Sequence, residues 1–285
     1  MFNLAMFPIE QLPVADWIEA ATNWLTVTFS GLFGAIQTGG SAFMNGITNL
    51  LLLIPPFAFI LIVAVIAYFA SKKQLSLSAF ALVGLGYILN QGLWSELMNT
   101  VTLVLVSSVI SIIIGVPLGI WSAKSKTVHN ILKPILDFMQ TMPAFVYLIP
   151  AVAFFGIGIV PGTFASVIFA LPPTVRFTEL GIKQISTELV EAADAFGSTG
   201  KQKLFKVELP LAKSTIMAGV NQTVMLALSM VVTASMIGAP GLGRQVLTAL
   251  QRASVGSGFV SGLAIVILAI LIDRLTNRFT ADKNS

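Results

Sequence analysis

Residues 197–201 are the part of the sequence whose order suggests phosphate chemistry, since they read Gly-Ser-Thr-Gly-Lys. A phosphate-binding loop also requires Gly at position 195 and Ser or Thr at position 202, where this chain has Ala195 and Gln202. Such a loop also follows a strand of a soluble parallel sheet, and the sequence predicts neither. We therefore expect this chain to bind no cofactor, so that any ATP and Mg²⁺ its activity needs are bound by a separate polypeptide.

Side chains suited to acid–base, nucleophilic or metal chemistry are few and scattered. The chain has one histidine, His129, and no cysteine, which excludes disulfides, thiolate metal sites and cysteine nucleophiles. His129 stands beside Lys126 and Asn130, as a lone surface histidine would, while Asp137 and Glu179 have no motif partner. We predict no catalytic residue and no metal site, and hence a chain that is not an enzyme.

The composition identifies lipid as the solvent of this chain. Hydrophobic residues make up 56% of the 285 residues and charged residues 10%, against roughly 25% charged residues in soluble domains. The net charge of +4 comes from basic residues in short loops between apolar stretches, which does not favour a nucleic-acid partner. The sequence therefore predicts an all-α polytopic membrane protein in contact with a lipid bilayer.

Seven apolar segments approach the length of about 20 residues that crosses a bilayer. They lie at about 50–70, 77–94, 98–121, 144–160, 162–176, 214–237 and 258–275. The fourth and fifth are short and are separated by Val160-Pro161-Gly162, while Pro55-Pro56 should kink the first span or mark its first turn. We expect about seven transmembrane helices.

The basic residues give the predicted topology. Residues 1–49 contain no Lys or Arg, whereas the first loop between spans carries Lys72 and Lys73, so the positive-inside rule places the N-terminus outside and the C-terminus in the cytoplasm. Only Arg244 and Arg252 are then outside. The other 14 basic residues are cytoplasmic: Lys72, Lys73, Lys124, Lys126, Lys133, Arg176, Lys183, Lys201, Lys203, Lys206, Lys213, Arg274, Arg278 and Lys283.

The N-terminal segment contains an amphipathic pattern between Val14 and Ile36. Bulky apolar residues recur there at steps of three and four residues, which predicts an amphipathic helix. Trp17 and Trp24 share one face and suit an anchor in the outer membrane interface, although packing against the spans as a scaffold is equally compatible with the pattern.

Polar residues within the predicted spans are uncharged, which disfavours a proton-coupled carrier. Asn221, Gln222 and Thr223 in the sixth span are candidates for lining a translocation path. Hydrogen bonding between helices is the alternative, and for a single Ser or Thr it is the favoured one.

The predicted cytoplasmic loop between Arg176 and Lys213 contains the most specific motif. Glu191-Ala-Ala-Asp-Ala-Phe-Gly197 is followed, after nine residues, by Val207-Glu-Leu-Pro210. This spacing resembles the EAA motif of ABC importer permeases, which implies a short coupling helix, a turn at the glycine and a second helix, with Pro210 marking a bend before the next span. The residues that the resemblance assigns to docking on an ATPase are Glu188, Glu191, Ala192, Ala193, Gly197, Leu209 and Pro210.

Further stretches resemble the permease subunits of glycine betaine/proline (quaternary ammonium) ABC importers over about residues 85–280. They are 139–150 (MQTMPAFVYLIP), 169–173 (FALPP), 218–230 (AGVNQTVMLALSM) and 273–276 (DRLT). The resemblance implies the type I (MetI-like) permease fold in a bacterial plasma membrane. It also implies two ATPase subunits, a second copy of the permease in a homodimer, and a separate extracellular binding protein that delivers betaine.

The resulting organisation has four parts. Residues 1–49 form an extracytoplasmic segment, residues 50–94 two N-terminal spans, residues 95–280 the core permease domain with its coupling segment at 188–210, and residues 281–285 a cytoplasmic tail. Two alternatives stay open: a permease of the same fold for another small solute, and an ATP-independent, osmotically gated channel or carrier. Phe145, Tyr147 and Trp94 are expected to pack or to anchor at the interface rather than to form an aromatic cage.

Overall fold

The computed structural model describes residues 12–71 and 75–281, with side chains described up to residue 277. Within this part of the chain every regular element is helical. The α-helices are α1 (Val14–Thr28), α2 (Ser30–Leu53), α3 (Pro56–Ala70), α4 (Leu75–Asn90), α5 (Trp94–Lys124), α6 (Lys126–Thr141), α7 (Leu148–Phe155), α8 (Ile159–Lys183), α9 (Thr187–Ala195), α10 (Gly200–Lys203), α11 (Leu209–Ser235), α12 (Leu242–Gln251) and α13 (Val255–Ala281). A 3₁₀ turn (Ala144–Tyr147) precedes α7, and a π-helical turn (Leu204–Glu208) joins α10 to α11.

The described residues contain four helices long and apolar enough to cross a membrane, formed by α5, α8, the continuous helix Gly200–Ser235, and α13. Two bent pairs reach the same length and apolarity when taken together, α2 with α3 and α6 with the 144–155 segment. Together with the shorter apolar helix α4, the described residues contain seven apolar segments: four long helices, two bent pairs and α4. The predicted all-α polytopic fold is therefore confirmed, but several spans are divided differently from the prediction.

The N-terminal region differs from the predicted single amphipathic helix over 14–36. The helix ends at Thr28, and α2 continues from Ser30 to Leu53, past the predicted start of the first span. Ile54 is extended with ψ of 122°, and Pro56 begins α3 at an angle of 91° to α2. Pro55 and Pro56 cause this break, since a residue before proline is disfavoured in the helical region and proline lacks an N–H donor.

The predicted fourth span at 144–160 is not one continuous helix. The chain there forms the 3₁₀ turn and the eight-residue α7, and this segment makes an angle of 109° with α6. Gly156 and Gly158, with φ of +73° and +137°, separate α7 from α8. Val160-Pro161-Gly162, predicted as a connection between spans, lies in the first turn of α8, where the missing N–H of proline costs no helical hydrogen bond.

The centre of the fold is the bundle of α5, α8 and α11. Ser111 donates a hydrogen bond to the carbonyl oxygen of Val167 over 3.1 Å, and Gly119 lies against Thr178, so α5 and α8 run parallel. Gly219 packs on Pro173 and Gly162 on Ala234, so α11 is antiparallel to α8. Glycines at these contacts let the backbones approach closely, as is typical of helix packing in membranes.

The peripheral helices attach to this bundle through both apolar and polar contacts. Helix α4 packs on α13, where Ile267 fills the space that a side chain at Gly84 would take. Helix α12 is held on the start of α5, because the backbone N–H of Leu242 donates to Thr100 Oγ1 over 2.8 Å and that of Gly241 donates to Glu96 over 3.1 Å. Helix α2 contacts the bundle through the buried hydroxyl pair of Thr48 and Thr102, 2.9 Å apart.

Candidate functional site

Helix α9 carries the Glu-Ala-Ala motif and ends in the turn that the sequence predicts. Gly197 has φ of +77°, the left-handed region that residues with a side chain rarely adopt. The backbone N–H of Ser198 donates to the carbonyl of Ala193 over 3.0 Å, and that of Gly197 donates to Asp194 over 2.9 Å. This is the hydrogen-bond pattern of a Schellman C-cap. The predicted turn at Gly197 is confirmed.

The residues after the turn begin a second helix with a cap at its start. The Thr199 hydroxyl accepts from the backbone N–H of Gln202, and the Gln202 side chain accepts from the backbone N–H of Thr199 over 2.8 Å, which is a capping box. Gln202, which replaces the Ser or Thr of a phosphate loop, is therefore half of a helix cap. From Gly200 the chain stays helical through to Ser235.

The chain stays helical at Pro210, where the sequence predicted a bend. Pro210 lies in the first turn of α11, directly after the π-helical turn Leu204–Glu208, and the helix continues through it. A π turn shifts the hydrogen-bond register by one residue, which accommodates the N–H that proline lacks without breaking the helix axis. The two parts of the motif are thus joined by one bend, at Gly197, and the second part is continuous with a membrane-crossing helix.

The surface of this coupling segment, residues 187–210, is largely exposed. Helix α9 contains no buried residue, and Glu188, Glu191 and Ala192 are all exposed while Ala193 is half-buried. Phe196, at the tip, is 91% exposed and Phe205 is 66% exposed. Leu209 is half-buried and Pro210 is exposed. Large apolar side chains on a polar segment mark a surface that contacts another protein.

Two ion pairs fasten this segment to itself and to the membrane helices. Lys203 Nζ lies 2.8 Å from both carboxylate oxygens of Asp194, which braces the two arms of the turn. Glu208, only 3% exposed, lies 2.5 Å from Lys124 Nζ in the last turn of α5. The sequence shows no sign of this second pair, because the partners are 84 residues apart.

The three candidate path residues of α11 have different environments. Thr223 is buried, lies 2.7 Å from the Thr174 hydroxyl and donates to the carbonyl of Ala170 over 2.9 Å. The Asn221 amide donates to Asp273 and Asn277 of α13. Those two side chains therefore join helices. Gln222 is exposed and lines a cavity of about 530 Å³.

That cavity lies between α6, α8 and α11, and its volume is within the range of about 300–1,000 Å³ typical of small-molecule sites. Its lining includes two amides, a guanidinium and two phenyl rings, from Gln140, Gln222, Arg176, Phe169 and Phe177. Of the aromatic residues that the sequence excluded from a cage, Tyr147 and Trp94 are buried in packing and Phe145 is 57% exposed. None of these three lines this cavity.

The charged residues expected to be isolated instead form a cluster at one end of α8. Glu179 accepts a hydrogen bond from Ser122 of α5 over 2.7 Å, lies 2.5 Å from His129 Nδ1 of α6, and pairs with Lys183. The expectation of a lone surface histidine is therefore wrong. Arg176, Glu179 and Lys183 are on α8, which runs seven residues past the predicted end of the fifth span.

Arg176 also pairs with Asp137, so that a second ion pair links α8 to α6. A second cavity, of about 360 Å³, lies between these two helices among the charged groups. No group of three or more potential metal ligands occurs in the described part of the chain. Sequence reasoning missed this cluster because residues that lie about 40 to 60 positions apart meet only after the helices pack.

The family model and the most similar relatives that we compared all describe permease or inner membrane components of transport systems. A family model described as "Binding-protein-dependent transport system inner membrane component" matches residues 115–282. The glycine betaine/carnitine transport permease protein GbuB of Listeria monocytogenes is 56% identical over 97% of this chain and 99% of its own length. The glycine betaine transport system permease protein OpuAB of Bacillus subtilis is 51% identical over 97% of this chain and 98% of its own length. ProW of Escherichia coli, a glycine betaine/proline betaine permease protein, is 46% identical over 96% of this chain and 77% of its own.

Among solved structures, a chain of the MetNI methionine ABC transporter in an inward-facing conformation resembles this one. The TM-score is 0.59 with 23% sequence identity, over 68% of this chain and 95% of the MetNI chain. At that identity the likeness concerns the fold alone, which is the MetI-like permease fold expected from the sequence.

Proposed function

This chain belongs to the family of binding-protein-dependent transport system inner membrane components, as the permease of an ABC importer in the cell membrane, and on that premise we propose that it imports glycine betaine or a related osmoprotectant. The permease forms the translocation path, while a separate ATPase binds and hydrolyses ATP. The chain itself binds no cofactor and performs no chemistry.

The observation that carries the coupling role is the exposed helix α9, which is joined to the Gly200–Ser235 helix by the single turn at Gly197. An ATPase that contacts Glu188, Glu191 and Ala192 pushes on a short rigid helix, and the braced turn at Gly197 passes the motion to the Gly200–Ser235 helix. Because that helix is continuous through Leu209 and Pro210, a displacement at the surface reaches the bundle of α5, α8 and α11 without a second hinge.

The complex that we propose contains two copies of this permease, two ATPase subunits and an extracellular binding protein that delivers the solute. The N-terminus lies outside and the C-terminus in the cytoplasm. Among the described basic residues, Lys124, Lys183, Lys201 and Lys203 are found at the end of the molecule that carries the coupling segment, while Arg244 and Arg252 are on or beside α12 at the opposite end. This distribution follows the positive-inside rule; Lys72, Lys73 and Lys283 lie outside the described residues.

The test is uptake of labelled glycine betaine into proteoliposomes that hold this chain with its ATPase and binding protein. We expect ATP-dependent uptake of betaine in preference to choline, carnitine and proline. Uptake by the purified chain alone without ATP would instead establish a channel or carrier. ATP-dependent uptake of another solute but not of betaine would support the permease function and contradict betaine as the substrate.

A further inference from the structure

The cavity of about 530 Å³ between α6, α8 and α11 has a lining unlike a lipid-facing surface. Gln140 of α6 and Gln222 of α11 are exposed amides in this lining, and Arg176 of α8 adds a permanent positive charge. A charged or amide side chain exposed to hydrocarbon is costly, so such groups in membrane helices face a water-filled space or another protein. The cavity is therefore suited to a polar solute.

The aromatic part of the lining is held by packing. The Tyr147 ring contacts Phe169 edge-on at 6.1 Å between centroids, and the buried Tyr147 hydroxyl donates to the carbonyl of Met139 over 2.5 Å. Phe177 lies directly over Gly219, so close that a Cβ there would be 2.5 Å from the Phe177 Cβ. The negative face of a phenyl ring attracts a cation that carries no N–H donor, such as a quaternary ammonium.

Arg176 pairs with Asp137 and can still interact with an anion in the cavity. Its guanidinium donates to Asp137, and the side chain remains 39% exposed and lines the cavity. A guanidinium has five N–H donors, so that the contact with Asp137 leaves others for a carboxylate. The cavity thus contains donors for a carboxylate and phenyl rings for an ammonium group.

We propose that this cavity is a transit site for a zwitterion with a quaternary ammonium and a carboxylate. Arg176 and the amides of Gln140 and Gln222 bind the carboxylate, and Phe169 and Phe177 contact the ammonium. Arg176 selects solutes that carry a carboxylate. The inference rests on the proposed function and names the residues that meet the solute within the permease.

The first test compares Arg176→Gln with the double variant Arg176→Gln/Asp137→Asn in the reconstituted complex. If Arg176 only balances the charge of Asp137, the double variant regains uptake, because no charge is left unpaired. If Arg176 binds solute, both variants lose uptake of glycine betaine at subsaturating concentration by about 10- to 100-fold, the loss expected for a charge-assisted hydrogen bond. Arg252→Gln, an exposed arginine just after α12, should take up betaine normally.

The second test replaces an amide with an apolar side chain of similar size. Gln222→Leu should raise the apparent KM for glycine betaine about 5-fold or more, as expected for the loss of a hydrogen bond to a charged group, while the ATPase activity stimulated by the binding protein persists. Gln251→Leu changes the same residue type at an exposed position of α12 and should leave KM unchanged.

The outcomes separate the two proposals. Wild-type complex that hydrolyses ATP without taking up betaine contradicts the substrate and this site together. Wild-type uptake with normal uptake by Arg176→Gln, or with recovery in the double variant, overturns the site alone and leaves the permease function standing.

Discussion

The coupling segment at 187–210 and the bundle of α5, α8 and α11 obey different constraints. In the coupling segment α9 has no buried residue, and Phe196 is 91% exposed. In the bundle, Thr100, Thr102, Ser107, Ser111, Thr174 and Thr223 are nearly or completely buried, and glycines allow backbone contact. Contacts within the chain therefore constrain the residue types of the bundle, but they constrain few residues of the coupling segment.

The difference shows where function can be inferred from a single chain. Substitutions at the buried positions of the bundle act first on folding, because those side chains are packed against neighbours within the protein. Substitutions on the exposed face of α9 meet nothing in this chain, so that an effect on uptake must come through a partner. Substitutions in the coupling segment should therefore reduce transport without affecting folding, whereas substitutions in the bundle should affect both.

The largest effect is expected for Gly119→Leu in the bundle. A Cβ at Gly119 would lie 2.6 Å from the carbonyl oxygen of Val175 and 2.6 Å from Thr178 Cβ, and neither can move without displacing α8. Overpacking against backbone atoms costs about 1–3 kcal/mol or more, so that the amount of folded protein in the membrane should fall several-fold. Gly86→Leu, where a Cβ meets nothing within 4 Å, should leave that amount unchanged.

In the coupling segment, Gly197→Val should abolish most uptake without reducing the amount of protein. A Cβ at Gly197 has open space, so the only obstacle is φ of +77°, which costs a β-branched residue about 1–2 kcal/mol or more. Gly197→Asn, which tolerates this conformation, should keep most of the uptake. Normal uptake by the valine variant would contradict the role of the turn, and loss of the protein would show that the segment is needed for folding.

A smaller effect is expected at the contact between the two regions, where Lys124 pairs with the buried Glu208. Lys124→Met leaves this carboxylate unpaired and should destabilise the solubilised protein by about 1–2 kcal/mol, less than a fully buried pair because Lys124 is 42% exposed. The double variant Lys124→Met/Glu208→Leu should recover thermal stability. A single variant as stable as the wild type would show that the pair contributes nothing, and a double variant no more stable than the single one would show that the unpaired carboxylate is not the cause of the loss.

The smallest effect on transport is expected for Thr223→Val. The change removes hydrogen bonds to Thr174 and to the Ala170 carbonyl, worth about 1 kcal/mol each, and should lower the melting temperature while uptake persists. Ser229→Ala, whose hydroxyl bonds only within α11, should leave the melting temperature unchanged. Reduced uptake at an unchanged melting temperature would restore Thr223 as a residue of the translocation path.

The sequence predicted the coupling segment better than the spans. The turn at Gly197 followed from the motif, because a glycine after a helical run is needed for a left-handed C-cap. The continuity of the helix through Pro210 did not, since the sequence shows no sign of the π-helical turn that precedes this proline. Pro55-Pro56 predicted the break after α2, and Pro143 ends α6 in the same way, because Met142 before it is extended. The angle of 109° between α6 and the 144–155 segment depends on how both pack beside α8.

What the sequence alone determined is the class of protein, the location of its apolar segments and the motif at 191–210, because hydropathy and turn geometry are local properties. Only the tertiary structure assigned Thr223 to helix packing and Gln222 to a cavity, and brought Arg176 to Asp137 and Lys124 to Glu208. Adjacent residues of one helix point in different directions, and the groups that they meet belong to helices distant in the sequence. The sequence alone therefore does not show their surroundings.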